Sequence, residues 1–147
     1  MSSSREDRLL GWLRKQLHKD GSDHIGDDAA MLPRAETAIT VDHQIEGVHF
    51  PASLDTRVVA RRLLAVNLSD LAAMGALPRY AFLAVSSPPE RDIKGFLQAL
   101  LKACKAAEVE LAGGDLARGP VLSATLTLVG GKAPRGDWVR RSSGRPG

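Results

Sequence analysis

The sequence predicts an α/β (α+β) domain in which a mixed β-sheet packs on helices. Apolar residues with helical spacing alternate along the chain with short apolar runs that are typical of strands. The chain has 147 residues, the length of one domain, and no internal repeat divides it. With 44% hydrophobic and 25% charged residues its composition is that of a globular protein. We therefore expect a single layered domain over residues 1–147.

The first predicted elements are an amphipathic helix and two strands. Residues from about Arg5 to His18 place four leucines on one helical face. The segment "KDGSDHIGDDAAML" then interrupts regular structure with its glycines before a short apolar strand. The run "TAITVD" predicts the next strand, which ends at Asp42.

A long helix is predicted next, from about Thr56 to Met74. Asp55 is suited to cap its first turn, while Gly75 and Pro78 are stop signals. The run "RYAFLAVS" then predicts a strand.

A second long helix is predicted from about Glu90 to Ala107. Its inward-facing side chains are expected to be Ile93, Phe96, Leu97, Leu100, Leu101 and Cys104. A short strand, "VELA", a turn, "GGD", and a long strand, "VLSATLTLVG", complete the predicted elements.

Composition and motif searches argue against several classes of protein. The net charge is only +3, and no aromatic residues interleave with the basic ones, so we expect no nucleic-acid partner. No apolar run approaches the ~20 residues of a membrane span, and the charged first residues lack a signal-peptide core. We therefore expect a cytoplasmic protein. Cys104 is the sole cysteine, and no P-loop, GxGxxG after a strand or HExxH motif occurs.

Asp70 lies inside an apolar helical run, "VNLSDLAAMGALP". Burying an ionised carboxylate is costly unless a partner compensates its charge. Asn67 shares a helical face with Asp70, three residues away. For Asn67 and Ser69 two interpretations stay open, namely hydrogen bonding within the helix and direct contact with a ligand.

Four aspartates occur where regular structure begins, ends or is interrupted by polarity. Apolar or glycine-rich sequence flanks each of them, and they are Asp28, Asp42, Asp70 and Asp115. Carboxylates gathered near a core repel one another unless a cation joins them, and Mg²⁺ prefers such oxygen ligands. The alternative is that each is a cap or turn residue. Gly113 and Gly114 would let the backbone approach a ligand closely before Asp115.

Six motifs follow one another along the chain: "IGDDAAML", "ITVD", "EGVHF", "VNLSDLAAMGALP", "LAGGDLARGP" and "RRSSGRPG". In order and spacing they resemble those of the thiamine-monophosphate kinases. These enzymes share a superfamily with aminoimidazole ribonucleotide synthetase and the maturation protein HypE. The resemblance implies ATP-dependent phosphorylation of thiamine phosphate to thiamine diphosphate. A HypE-like sister enzyme and a non-catalytic dimerisation or regulatory module stay open as alternatives.

The resemblance also implies the roles of individual residues. The implied magnesium ligands are Asp28, Thr40, Val41 through its backbone, Asp42, Asp70 and Asp115. The implied ATP contacts are Gly114, Asp115 and Arg141, and the implied substrate contact is His49. Two departures lie nearby: "TVD" stands where the family has "STD", and "GGDLARGP" stands where it has "GGDTTRGP".

The strands "RYAFLAVS" and "LSATLTLV" have no charged face, so we expect both sides of the sheet to be covered. The resemblance implies a homodimer through this sheet. It also implies a second, carboxy-terminal domain beyond Gly147. We therefore expect this chain to bind metal and nucleotide but to show little turnover by itself.

Overall fold

A computed structural model describes residues 11, 15, 29–32, 36–134, 137–141 and 144. Within these ranges the strands are β1 (Ala30–Leu32), β2 (Thr37–Ile45), β3 (Ala76–Ser87), β4 (Glu110–Arg118) and β5 (Ser123–Lys132). The helices are α1 (Thr56–Ala73), between β2 and β3, and α2 (Ile93–Ala106), between β3 and β4. Gly11 and Lys15 are helical, and the rest of the helix predicted near the amino terminus lies outside the described residues.

The five strands form one mixed sheet in the order β1-β2-β5-β3-β4. β3 and β4 pair in parallel, while β5 is antiparallel to both β2 and β3. The predicted mixed sheet on helices is thereby confirmed. The pairings also align Asp42, Leu126, Leu83 and Gly114 in one row across four strands.

One face of the sheet packs against both helices. β5 turns Ala124, Leu126 and Leu128 toward them, and these three side chains are fully buried. From the helices, α1 contributes a buried apolar stripe and α2 contributes Phe96 and Leu100. Cys104 lies in the same core, where burial raises the pKa of its thiol. This confirms that one face is covered by the domain itself.

The opposite face, here called the open face, has no helix against it among the described residues. Ile39, Val129 and Tyr80 form one row across it, and Val41, Thr127 and Phe82 form the next. Phe82 is 44% exposed and Val41 is 58% exposed, which is unusual for large apolar side chains in the middle of a sheet. The covering predicted for this side is thus not supplied by the described residues.

The local signals for α1 are confirmed. The Asp55 carboxylate accepts the backbone N–H of Arg57 at 2.8 Å, and this bond holds the pKa of Asp55 below its ordinary value. The helix ends at Ala73, and Gly75 follows with a φ of +69°. Pro78, predicted as a stop signal, lies instead inside β3, where the register with β5 shifts.

Three further predicted details are wrong. The strand predicted to end at Asp42 continues to Ile45, so Asp42 lies within β2. The segment "GGD" is not a turn, because it lies within β4 and pairs with β3. A partner strand far away in sequence supplies the pairing, and local glycine content does not report it. Leu101, predicted to face inward, is 51% exposed. The inward side of α2 is formed by Phe96, Leu100 and Cys104, and Leu101 lies one residue beyond this side. Neither described helix combines the length and the apolar character needed to cross a bilayer.

Candidate functional site

The Asp70 carboxylate receives a hydrogen bond from β2. Thr40 Oγ1 donates to Asp70 Oδ2 at 2.9 Å, with Thr40 buried. The strand alternation that buries Ala38 and Thr40 also turns Asp42 toward α1. Asp70 lies beside the buried stripe of α1, next to Leu71, so it meets β2 at the edge of the core. One hydroxyl therefore compensates part of the cost of its burial.

Asp42 and Asp70 lie side by side between β2 and α1. Burial raises the pKa of Asp42, and so do the negative charge of Asp70 and a hydrogen bond with it. The nearby His49 opposes this rise in the pKa. The charge of Asp70 disfavours the ionisation of Asp42, and a cation bound between the two carboxyl groups would remove this penalty.

His49 is held beside this pair by its own backbone neighbours. Its Nδ1 accepts the backbone N–H of Ile45 at 3.0 Å, so the neutral ring carries its proton on Nε2. Arg62 Nη1 donates to the His49 carbonyl oxygen at 3.1 Å. The ring therefore has a fixed tautomer, with Nε2 as a hydrogen-bond donor.

Asp115 lies elsewhere on the sheet. Its partner on β3 is Ala84, whose side chain belongs to the open face, whereas Asp42 faces the helices. Three strand spacings, about 14 Å, separate β4 from β2. Among the described residues no three His, Cys, Asp or Glu side chains lie close enough to hold one metal ion. The structure thus brings together Asp42 and Asp70, and the predicted ligand Asp28 lies outside the described residues.

Val41 and Arg141 occupy two further positions. Val41 presents its side chain to the open face, so only its backbone remains available to the site, as predicted for it. Arg141 is exposed and follows a segment that is fixed to the end of α1 by the bond from Val139 N to Met74 O at 3.1 Å. This end of α1 is the one that carries Asp70.

Asn67 and Gln44 are buried polar residues that the predicted site did not include. Asn67 Nδ2 donates to Leu63 O at 2.9 Å, which confirms hydrogen bonding within the helix. Its Oδ1, like Gln44 Oε1, has no hydrogen-bond partner within the described part of the chain. The spacing of Gln44 from Asp42 could have predicted its place in the site. Side chains two residues apart on a strand lie on the same face, so Gln44 faces the helices as Asp42 does.

Residues 26–131 match the family described as AIR synthase related protein, N-terminal domain. The chain belongs to this family. It is 42% identical over 128 residues to thiamine-monophosphate kinase of Escherichia coli K12. That match covers 84% of this chain and 39% of the relative, so the chain spans about two fifths of the relative's length.

Two solved structures have the same fold as this chain. Thiamine monophosphate kinase from Aquifex aeolicus superposes with a TM-score of 0.81 at 26% identity, covering 93% of this chain and 44% of that one. AaThiL complexed with AMPPCP and TMP gives a TM-score of 0.83 at 27% identity, covering 99% and 48%. The AIR synthase related fold is thereby established for this chain.

Gly114 provides a test of how β4 is held in this AIR synthase related domain. Its φ is +151°, and an added Cβ would overlap the Leu83 carbonyl group of β3. We expect Gly114→Ala to disrupt the pairing of β3 with β4 and to cost about 1–3 kcal/mol of unfolding free energy. Gly113→Ala is the matched control, because its Cβ would only contact the Phe82 ring at 3.4 Å. Equal melting temperatures for the two variants would contradict the described strand pairing.

Proposed function

We propose that this chain is the cation- and nucleotide-binding part of a thiamine-monophosphate kinase, which transfers the terminal phosphate of ATP to thiamine phosphate. The observation that carries the proposal is the Asp42–Asp70 pair between β2 and α1, in a domain 42% identical to such a kinase. A relative of the same fold with AMPPCP and TMP bound supports the two substrates.

The described residues fit a Mg²⁺ ion. The donors beside α1 are all oxygens, two of them from carboxylates that repel each other, and this is the ligand chemistry that Mg²⁺ prefers. Asp42, Asp70, Thr40 and the Val41 backbone would hold it, with Asp28 as a further proposed ligand. Several Mg²⁺ ions belong to the proposal, and Asp115, on the other side of the sheet, would be the ligand of a separate ion. When bound, the ion would neutralise the negative charge of the reacting phosphates.

The chain's own groups position the reactants. A phosphate oxygen of thiamine phosphate attacks the terminal phosphorus of ATP, the bond to the bridging oxygen breaks, and ADP leaves. The acceptor is already ionised near neutral pH, so no general base is needed. His49 Nε2–H would donate to the acceptor phosphate, and Arg141 would contact ATP from the Asp70 end of α1. Gly114, without a side chain, would let the backbone of β4 approach ATP.

A homodimer through the open face belongs to the same proposal, with a second copy of this chain as the occupant. On β2, β5 and β3 the row Ile39–Val129–Tyr80 and the row Val41–Thr127–Phe82 carry no ionisable group other than the Tyr80 phenol, so a two-fold axis can place like against like there. The proposal includes a cytoplasmic location and no nucleic-acid or membrane partner. Turnover is proposed to need the part of the kinase that the relatives have beyond this match.

Thermal unfolding with Mg²⁺ and AMPPCP tests this function. At 100 times the Kd, binding stabilises the folded state by about 2.7 kcal/mol, which raises the melting temperature by several degrees. We expect this rise only when ion and nucleotide are both present, and a further rise with thiamine phosphate. A non-catalytic module predicts no response to Mg²⁺ and AMPPCP, and a HypE-like enzyme predicts none to thiamine phosphate.

A further inference from the structure

Asn67 is fully buried, yet its amide oxygen has no hydrogen bond from any residue that the structure describes. Its Nδ2 donates to the Leu63 carbonyl oxygen, which can only accept, and this fixes which amide atom faces which way. Its Oδ1 has no donor within the described part of the chain. The buried hydroxyl of Thr56, by contrast, is satisfied, because it donates to Asp92 O at 2.9 Å. An orphaned buried acceptor is costly, so this one points to a group that is bound at the site.

Two bonds show where Asn67 lies along β2. Thr40 meets Asp70, and further along the chain the His49 carbonyl meets Arg62, so β2 and α1 run in opposite directions. Two residues along a strand cover about 7 Å, and three residues along a helix cover about 4.5 Å. A step from Thr40 to Asp42 on β2 therefore corresponds roughly to a step from Asp70 to Asn67 on α1. By this count Asn67 lies at about the level of Asp42 along β2, and it shares a helix face with Asp70.

Oxygen acceptors outnumber hydrogen-bond donors in this layer. The carboxylates of Asp42 and Asp70 lie between β2 and α1, and the same two elements carry two buried amide oxygens without a donor among the described residues, those of Gln44 and Asn67. The hydroxyl of Thr40 donates to one of them. A divalent cation supplies the positive charge that this set lacks, and an amide oxygen ligates without adding a further negative charge.

We infer that Asn67 supplies a neutral oxygen to the coordination shell of the divalent cation held by Asp42 and Asp70. This inference rests on the cation site of the proposed function. The inference also explains the role of the hydrogen bond from Asn67 Nδ2 to Leu63 O. That bond fixes the amide so that Oδ1 points away from its own helix backbone.

The test measures Mn²⁺ binding to the whole chain by electron paramagnetic resonance, without nucleotide. Asn67→Leu is expected to weaken Mn²⁺ affinity about tenfold or more, since even supporting groups of metal sites contribute 10–100-fold. The melting temperature without metal should stay equal or rise, because the orphaned acceptor is gone. A purely structural Asn67 would give the reverse, a lower melting temperature with Mn²⁺ affinity unchanged, and that result overturns the inference.

Two further variants keep the test decisive. Gln98→Leu is the matched control, because it also replaces an amide by leucine, at an exposed position of α2, and it should bind Mn²⁺ like the wild type. If Asn67→Leu does not fold, Asn67→Asp is used, which keeps an oxygen. It should bind Mn²⁺ at least as tightly as the wild type, and weaker binding overturns the inference. If the wild type itself binds no Mn²⁺, the cation site of the proposed function fails, whereas equal binding by wild type and Asn67→Leu refutes the role of Asn67 alone.

Discussion

Asp70→Asn is expected to remove most of the Mg²⁺-dependent nucleotide binding while the domain stays folded. The variant loses the charge that attracts the cation, but its amide oxygen can still accept the hydroxyl of Thr40. The mutual repulsion of Asp42 and Asp70 also disappears, so the melting temperature without metal should stay equal or rise. Loss of a direct ligand should exceed the 10–100-fold cost of a supporting group, so we expect a loss of more than about 100-fold.

Titration calorimetry with AMPPCP in the presence and absence of Mg²⁺ measures this loss. Glu110→Gln is the matched control, because it also removes one carboxylate, from an exposed position at the start of β4. It should bind like the wild type. An Asp70→Asn protein that unfolds, with the nucleotide response intact in its folded fraction, would instead make Asp70 a structural residue.

Phe82→Glu is expected to convert the proposed dimer into a monomer. Phe82 lies in the middle of the open face, in a row with Val41 and Thr127. A two-fold interface buries each substitution twice, and an unpaired buried carboxylate costs several kcal/mol. The dimer Kd should therefore rise by about 10³-fold or more, since 1.4 kcal/mol corresponds to tenfold.

Sedimentation velocity at tens of micromolar distinguishes the 15.7 kDa monomer from a species of twice that mass. Leu101→Glu is the matched control, because Leu101 is 51% exposed against 44% for Phe82 but lies on the outer side of α2. It should remain dimeric. A wild-type protein that sediments as a monomer would refute the dimer. A Phe82→Glu protein that remains dimeric would show that the dimer interface lies on another surface.

The elements that the sequence predicts well are those specified by neighbours in the chain. The cap of α1 needs only Asp55 and Arg57, two residues apart, and the burial of β5 follows its own alternation. The same local information placed Leu101 on the inward face of α2, although it lies one position outside that face. Apolar residues occur on both sides of the edge of this face, so their spacing alone does not locate the edge.

The details that the sequence did not give depend on partners far away in the chain. The segment containing Gly113 and Gly114 is a strand because β3 pairs with it, and the side on which Asp115 lies depends on a register shift after Ala81. The full burial of Asn67, whose Oδ1 has no donor among the described residues, likewise depends on how α1 packs in the core. By contrast, the proximity of Asp42 and Asp70 was predicted, because each interrupts an apolar element that had to enter the core.

The strand order has a consequence for how this chain is made. β5 is the last described strand and joins two pairs, β1 with β2 and β3 with β4, that have no contact through the sheet without it. A ribosome therefore releases both pairs before the strand that unites them exists. Until Ser123–Lys132 emerges, the inner edges of β2 and β3 remain open to chaperones and to other nascent chains. The yield of soluble protein should thus depend on how quickly the last part of this domain is translated.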